Sequence, residues 1–111
     1  MSQTGDHAHP GRIRVASLQD FPTSGRLCVR VGSTSVALFR VGHEVFATQD
    51  ACPHEGVSLS RGGILKGEEI TCGYHFWCFN VRTGESVDGL GDPLTRFQVH
   101  VQDGLVYLVT G

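Results

Sequence analysis

A chain of 111 residues makes one domain, large enough to bury roughly two-thirds of its unfolded surface but too short to carry a separate catalytic domain as well. Nine basic and eleven acidic residues leave a formal net charge of −2, which offers no electrostatic footprint for nucleic acid. No apolar stretch is long enough to span a membrane, and the polar first dozen residues form neither a signal peptide nor an anchor.

Residues 1–11 read as a disordered polar arm, with His7 and His9 as part of that solvated segment, and residues 12–111 as a single domain. Arg12-Ile13-Arg14 is not a twin-arginine pair, so the expected location is the cytoplasm. Short alternating apolar runs follow, separated by turns and without a convincing helical period. Arg12 to Ala16 is the first strand, and Ser17 to Pro22 is a polar turn segment. Gly25 to Val31 alternates Leu27, Val29 and Val31 against Arg26, Cys28 and Arg30, which puts Cys28 on the face opposite the apolar row. Gly32-Ser33 and Gly42-His43 then turn the chain into strands at Thr34 to Val41 and Glu44 to Gln49, completing a meander.

Asp50 to Gly63 is a loop by its Pro and Gly content. Glu68 to Thr71 and Phe76 to Val81 are strands flanking a second loop, and Arg82-Thr83-Gly84 is a turn. Thr95 to Gln102 and Leu105 to Thr110 alternate cleanly around Asp103-Gly104, a strong two-residue hairpin signal. The expected fold is all-β, with a small subdomain at about 50–81 inserted between strands.

Each of the two loops carries one cysteine and one histidine. Cys52-Pro53-His54 and Cys72-Gly73-Tyr74-His75 are separated by the seventeen residues Glu55 to Thr71. Two thiolates and two imidazoles match a 2Fe-2S centre with one iron held by sulfur and the other by nitrogen. Two ferric ions, two sulfides, two thiolates and two neutral imidazoles sum to zero charge, whereas four thiolates would give a dianion, so the mixed set raises the reduction potential. Zinc accepts the same four donors, although zinc-finger spacing usually places Cys with Cys and His with His. The candidate ligands are therefore Cys52, His54, Cys72 and His75. Cys28 and Cys78 are expected to be buried thiols. Gly56, Gly62, Gly63 and Gly73 would let backbone amides approach the site closely.

The two segments C-P-H-E-G-V-S-L-S-R-G-G-I-L (Cys52 to Leu65) and C-G-Y-H-F-W-C-F-N-V-R-T-G-E (Cys72 to Glu85) resemble the Rieske ferredoxin family, a likeness running from about Val15 to Val109. The resemblance implies a Rieske fold of antiparallel sheets holding one 2Fe-2S cluster. It places Cys52 and Cys72 on one iron and His54 and His75 on the other, with the histidines at an exposed tip. It further implies that the protein is not itself an enzyme but a monomeric electron carrier. Its partners would be an NAD(P)H-dependent flavoprotein ferredoxin reductase and a terminal Rieske oxygenase. The small subunit of an NAD(P)H-dependent nitrite reductase and a zinc-stabilised interaction domain are the alternatives.

Departures from the high-potential members of that family are informative. Val57 and Tyr74 stand where those proteins carry a disulfide, and Trp77 and Phe79 stand where they place a serine and a tyrosine that donate hydrogen bonds to sulfur. The potential is accordingly expected near the low end of the Rieske range, about −150 mV. Phe76 replaces a glycine, and Asn80 an aspartate, that are common in oxygenase domains of the family. Phe79 is expected to pack in the core, whereas Trp77 either does the same or covers the cluster. Pro93, in the segment Asp88 to Leu94, is the candidate cover. Glu55, Arg61, Glu68 and Glu69 are candidates for a docking surface, although charges on loops are as a rule simply solvated.

Overall fold

The computed structural model describes residues 11–52, 58–73, 77–87, 89 and 92–109. Among the described residues, ten strands form three antiparallel sheets. The first sheet sets β1 (Arg12–Ser17) beside β10 (Leu105–Val109) and then β9 (Val99–Gln102). The second runs β2 (Arg26–Val31), β3 (Thr34–Val41), β4 (Glu44–Gln49) and β8 (Arg96–Phe97). The third, of β5 (Ile64–Lys66), β6 (Glu69–Thr71) and β7 (Cys78–Asn80), is inserted in the chain between β4 and β8, which pair with each other. Among the described residues no helix is long and apolar enough to cross a membrane.

β3 explains why two apolar cores can share one wall. Its sequence Val36-Ala37-Leu38-Phe39 is a continuous apolar run, the signature of a strand covered on both faces, and all four residues are buried. Val36 and Leu38 join Val45, Ala47, Val106 and Leu108 in a core between the first two sheets. Ala37 and Phe39 point the other way, into a second core with Cys52, Leu59, Ile70, Cys72, Phe79, Val81 and Leu94. A one-residue slip of β3 would exchange the two faces, so its alternation fixes which side receives the inserted segment.

Several expectations need correcting. Ile64–Lys66 forms a strand that alternation did not reveal, because three residues are too few to establish a period. Thr95 to Gln102 is two strands rather than one: β8 pairs with β4 and β9 with β10, the chain changing sheets at Gln98. Among the described residues two single turns of helix also occur, a 3-10 turn at Leu18–Asp20 and α1 at Leu59–Gly62, both shorter than a helical period can register. The Asp103-Gly104 hairpin is as expected, with positive φ of 54° and 77° at its two central residues, the type I′ requirement. Of the expected arm, 1–11, only Gly11 lies within the described residues.

Candidate metal centre

Cys52 follows β4 by three residues, and Cys72 directly follows β6. Each is 1 % exposed, and both belong to the same apolar core, packed with Leu59, Ile70 and Phe79. Two cysteines from loops twenty residues apart are thus buried in one apolar core. His54 and His75 lie outside the described residues, as do Glu55, Gly56, Val57, Tyr74 and Phe76.

The two loops are closed by different means. The second extends from the β6–β7 hairpin: Thr71 faces Cys78, and the Cys72 N–H donates to the Trp77 carbonyl at 2.7 Å. The first is closed by a carboxylate. Asp50 Oδ1 accepts from the Ser60 N–H at 2.7 Å, while Asp50 Oδ2 accepts from Ser60 Oγ at 2.8 Å and Ser58 Oγ at 3.0 Å. Ser58 is the N-cap of α1, its hydroxyl accepting from the Arg61 N–H. Gln49 works on the other side, donating from Nε2 to the Ala51 carbonyl at 2.7 Å and accepting at Oε1 from the Thr95 N–H at 2.8 Å.

The loops touch each other through glycine. A Cβ on Gly73 would overlap the Gly62 carbonyl oxygen, and one on Gly63 would lie 2.6 Å from the Leu59 carbonyl oxygen. Gly73 and Gly63 therefore need to be glycine for close packing against neighbouring backbone. Gly62 does not, since a Cβ there meets nothing within 4 Å.

Phe79, fully buried, packs where expected, and Trp77 lies half-buried against the same core. Burying the Phe79 ring stabilises the fold by roughly 1.5 to 3 kcal/mol. Of the segment expected to cover the cluster, Leu94 is 4 % exposed and lies in the core with the cysteines, and Pro93 beside it is exposed. Cys28 and Cys78 are half-buried rather than buried. The register places Cys28 opposite Ala37, away from the first core, and burial together with a hydrogen bond to Asp50 pushes its thiol pKa up. Cys78 faces away from Phe79 along β7 and its Sγ donates to Glu69 Oε1 at 3.6 Å.

Charges outside the pocket serve the subdomain junction. Arg82 Nη2 lies 2.6 Å from Glu68 Oε2 and 2.7 Å from Glu44 Oε1, and its guanidinium sits 4.7 Å from the centroid of the Phe46 ring. Hydrogen bonding to Arg82 holds the Glu68 carboxyl below its usual range, and the same bonds raise the arginine. Arg82 thus ties β4 to the inserted segment through Glu44, and Glu68 holds the arginine in place, a role its loop position did not disclose.

The donor chemistry fits a cluster. An apolar pocket penalises net charge, and an oxidised 2Fe-2S centre with two thiolates and two neutral imidazoles has none. Zinc on the same donors would be neutral too, so the comparisons decide between them. The family model described as Rieske [2Fe-2S] domain matches residues 11–96. Ferredoxin CarAc of Metapseudomonas resinovorans is 39% identical over 98 residues, which span 86% of this chain and 91% of that protein. Among solved structures, a complex of reduced oxygenase and oxidized ferredoxin in carbazole 1,9a-dioxygenase contains a chain with TM-score 0.79 and 37% identity, covering 89% of this chain and 93% of that one. The ferredoxin of carbazole 1,9a-dioxygenase from Nocardioides aromaticivorans IC177 gives TM-score 0.81 at 26% identity, over 90% and 98% of the two chains. Shared architecture, two buried cysteines in one pocket and a family match over well over half of its length agree: the chain belongs to the Rieske [2Fe-2S] domain family, and its cofactor is a single 2Fe-2S cluster.

Proposed function

We propose that this protein is a one-electron carrier whose cluster is ligated by Cys52 and Cys72 on one iron and His54 and His75 on the other. It takes electrons from an NAD(P)H-dependent flavoprotein reductase and delivers them to a terminal Rieske oxygenase. The observation that carries the ligand assignment is the convergence of Cys52 and Cys72 in one buried apolar core. Support for the oxygenase partner comes from relatives that are ferredoxins, including one solved with its oxygenase. The bound cluster supplies a reversible one-electron change, its total charge moving from 0 to −1. Around it, Leu59, Phe79 and Leu94 exclude water from the sulfur side, and the hydrogen bonds of Gln49 and Asp50 fix the loop bases. A monomer in the cytoplasm suits such a shuttle, which must dissociate from one partner to reach the next.

The nitrite reductase reading uses the same centre with a different acceptor, and the ferredoxin names of the relatives at more than one-third identity favour the oxygenase. Anaerobically reduced protein is expected to show a rhombic Rieske EPR signal, a potential near about −150 mV, and rapid one-electron reoxidation by an aromatic-ring oxygenase. Reoxidation by a sirohaem nitrite reductase, with no transfer to any oxygenase, would refute the proposed acceptor.

The potential has its own test. In Trp77→Ser, Phe79→Tyr, two new hydroxyl donors beside the sulfurs favour the reduced state, which carries the extra negative charge. At a differential of about 0.5 to 1 kcal/mol for each bond, the midpoint should rise by roughly 40 to 90 mV. Trp77→Ala, with Phe79 kept, changes exposure without adding a donor. Equal midpoints for the two variants, each with its cluster fully occupied, would show that hydroxyl donors do not set the potential.

A further inference from the structure

Asp50 fastens both ends of a segment without belonging to it. Two residues before Cys52, its carboxylate collects three hydrogen bonds from residues 58 and 60, on the far side of residues 53–57. A carboxylate only accepts, so all three donors are satisfied at once, two hydroxyls and one backbone N–H at the start of α1. The helix is in turn held from β2, where Arg26 Nη1 donates to the Ser60 carbonyl at 3.2 Å. From its carboxyl end, α1 reaches the second ligand loop, because Gly62 lies against Gly73. Asp50 therefore connects the entry of the first loop to its exit and, through one helical turn, to the loop that carries Cys72.

We propose that Asp50 is a positioning residue for the cluster: its carboxylate closes the first ligand loop before iron is bound, and thereby controls how tightly the cluster is retained and how uniform its geometry is. The proposal rests on the assignment of Cys52 and His54 as ligands. A loop with fixed ends has less conformational freedom to lose when its side chains ligate, so less of the metal's binding free energy goes into ordering it. Residues that orient metal ligands from outside the coordination sphere typically change metal affinity by about 10- to 100-fold when removed.

The test uses the loaded full chain and reads cluster loss to an iron chelator together with the EPR spectrum of the reduced protein. Asp50→Ala should lose its cluster about tenfold faster, or more, and show a broadened spectrum. Asp50→Asn should stay within about twofold of the parent, with the parent's line shape. Its Oδ1 still accepts from the Ser60 N–H, and its Nδ2 donates to the two serine hydroxyls, which reverse their role. The double variant Ser58→Ala, Ser60→Ala keeps the carboxylate but removes two of its donors, and should lose the cluster a few-fold faster; it carries the test if Asp50→Ala does not fold. Val106→Ala, in the core away from the cysteines, lowers global stability and should leave the spectrum unchanged. Equal behaviour of Asp50→Asn and Asp50→Ala would mean that charge, not loop closure, is responsible. A Val106→Ala variant that lost its cluster as fast as Asp50→Ala, at a matched thermal midpoint, would reduce the effect to global stability. Either result overturns the proposal. A parent protein with a full 2Fe-2S complement but no Rieske signal would instead refute the ligand assignment.

Discussion

His54→Ala, His75→Ala, Cys52→Ser and Cys72→Ser should each abolish the native cluster, whereas Cys28→Ser and Cys78→Ser should leave iron, acid-labile sulfide and the Rieske signal intact. The contrast follows from placement. Cys52 and Cys72 share one core at 1 % exposure, while Cys28 and Cys78 are half-buried and sit beside Asp50 and Glu69 respectively. The loss should extend beyond the metal, because binding free energy at such a site is partly folding free energy. In the serine variants a hydroxyl is left in an apolar pocket, at a further cost of about 1 to 3 kcal/mol if it finds no partner. Colorimetric iron and sulfide analysis, paired with thermal unfolding, reads both effects. Loss of the signal in Cys28→Ser or Cys78→Ser, with the fold retained, would mean that the ligands are assigned wrongly.

Gly73→Ala should destabilise the protein although it touches no ligand. The new methyl would occupy the space of the Gly62 carbonyl oxygen, which is backbone and cannot swing aside as a side chain would. Either α1 or the second ligand loop must move. Overpacking of this kind costs about 1 to 3 kcal/mol, and on a chain of this size that lowers the thermal midpoint by roughly 5 to 15 °C. The cluster should also be lost to chelator faster, since the displaced backbone adjoins Cys72. Gly62→Ala supplies the comparison: its methyl would point into open space, so both measurements should stay near the parent values. If the two alanine variants unfold at the same temperature, the close contact between α1 and the second loop is not what holds them together.

Much of this molecule is legible along the chain. The turns at Gly32-Ser33 and Gly42-His43 bounded β3 and β4 at the observed residues, because a tight reversal is set by local backbone preference, both glycines having positive φ. Asp103-Gly104 announced its hairpin through local backbone preference alone. The candidate ligand set was visible for a similar reason, since thiolate and imidazole donors at these spacings are a property of residue type and order.

Other features depend on partners distant in sequence. Gln98 does not signal a change of sheet, because which strands pair is a matter of packing rather than of local pattern. Leu94 turns into the core while Pro93 stays exposed, and only the course of the chain after residue 92 decides which of two adjacent apolar residues is buried. Asp50, Ser58 and Ser60 read as ordinary polar loop residues until the fold brings the carboxylate to the start of α1. Glu68 likewise looks like a solvated loop charge until the chain after β7 brings Arg82 between it and Glu44 of β4. Residue type and period determined the strands, the turn and the candidate metal donors; tertiary structure decided how the loops bearing Cys52 and Cys72 are fastened, because hydrogen bonds and close contacts between distant segments exist only once the chain has folded.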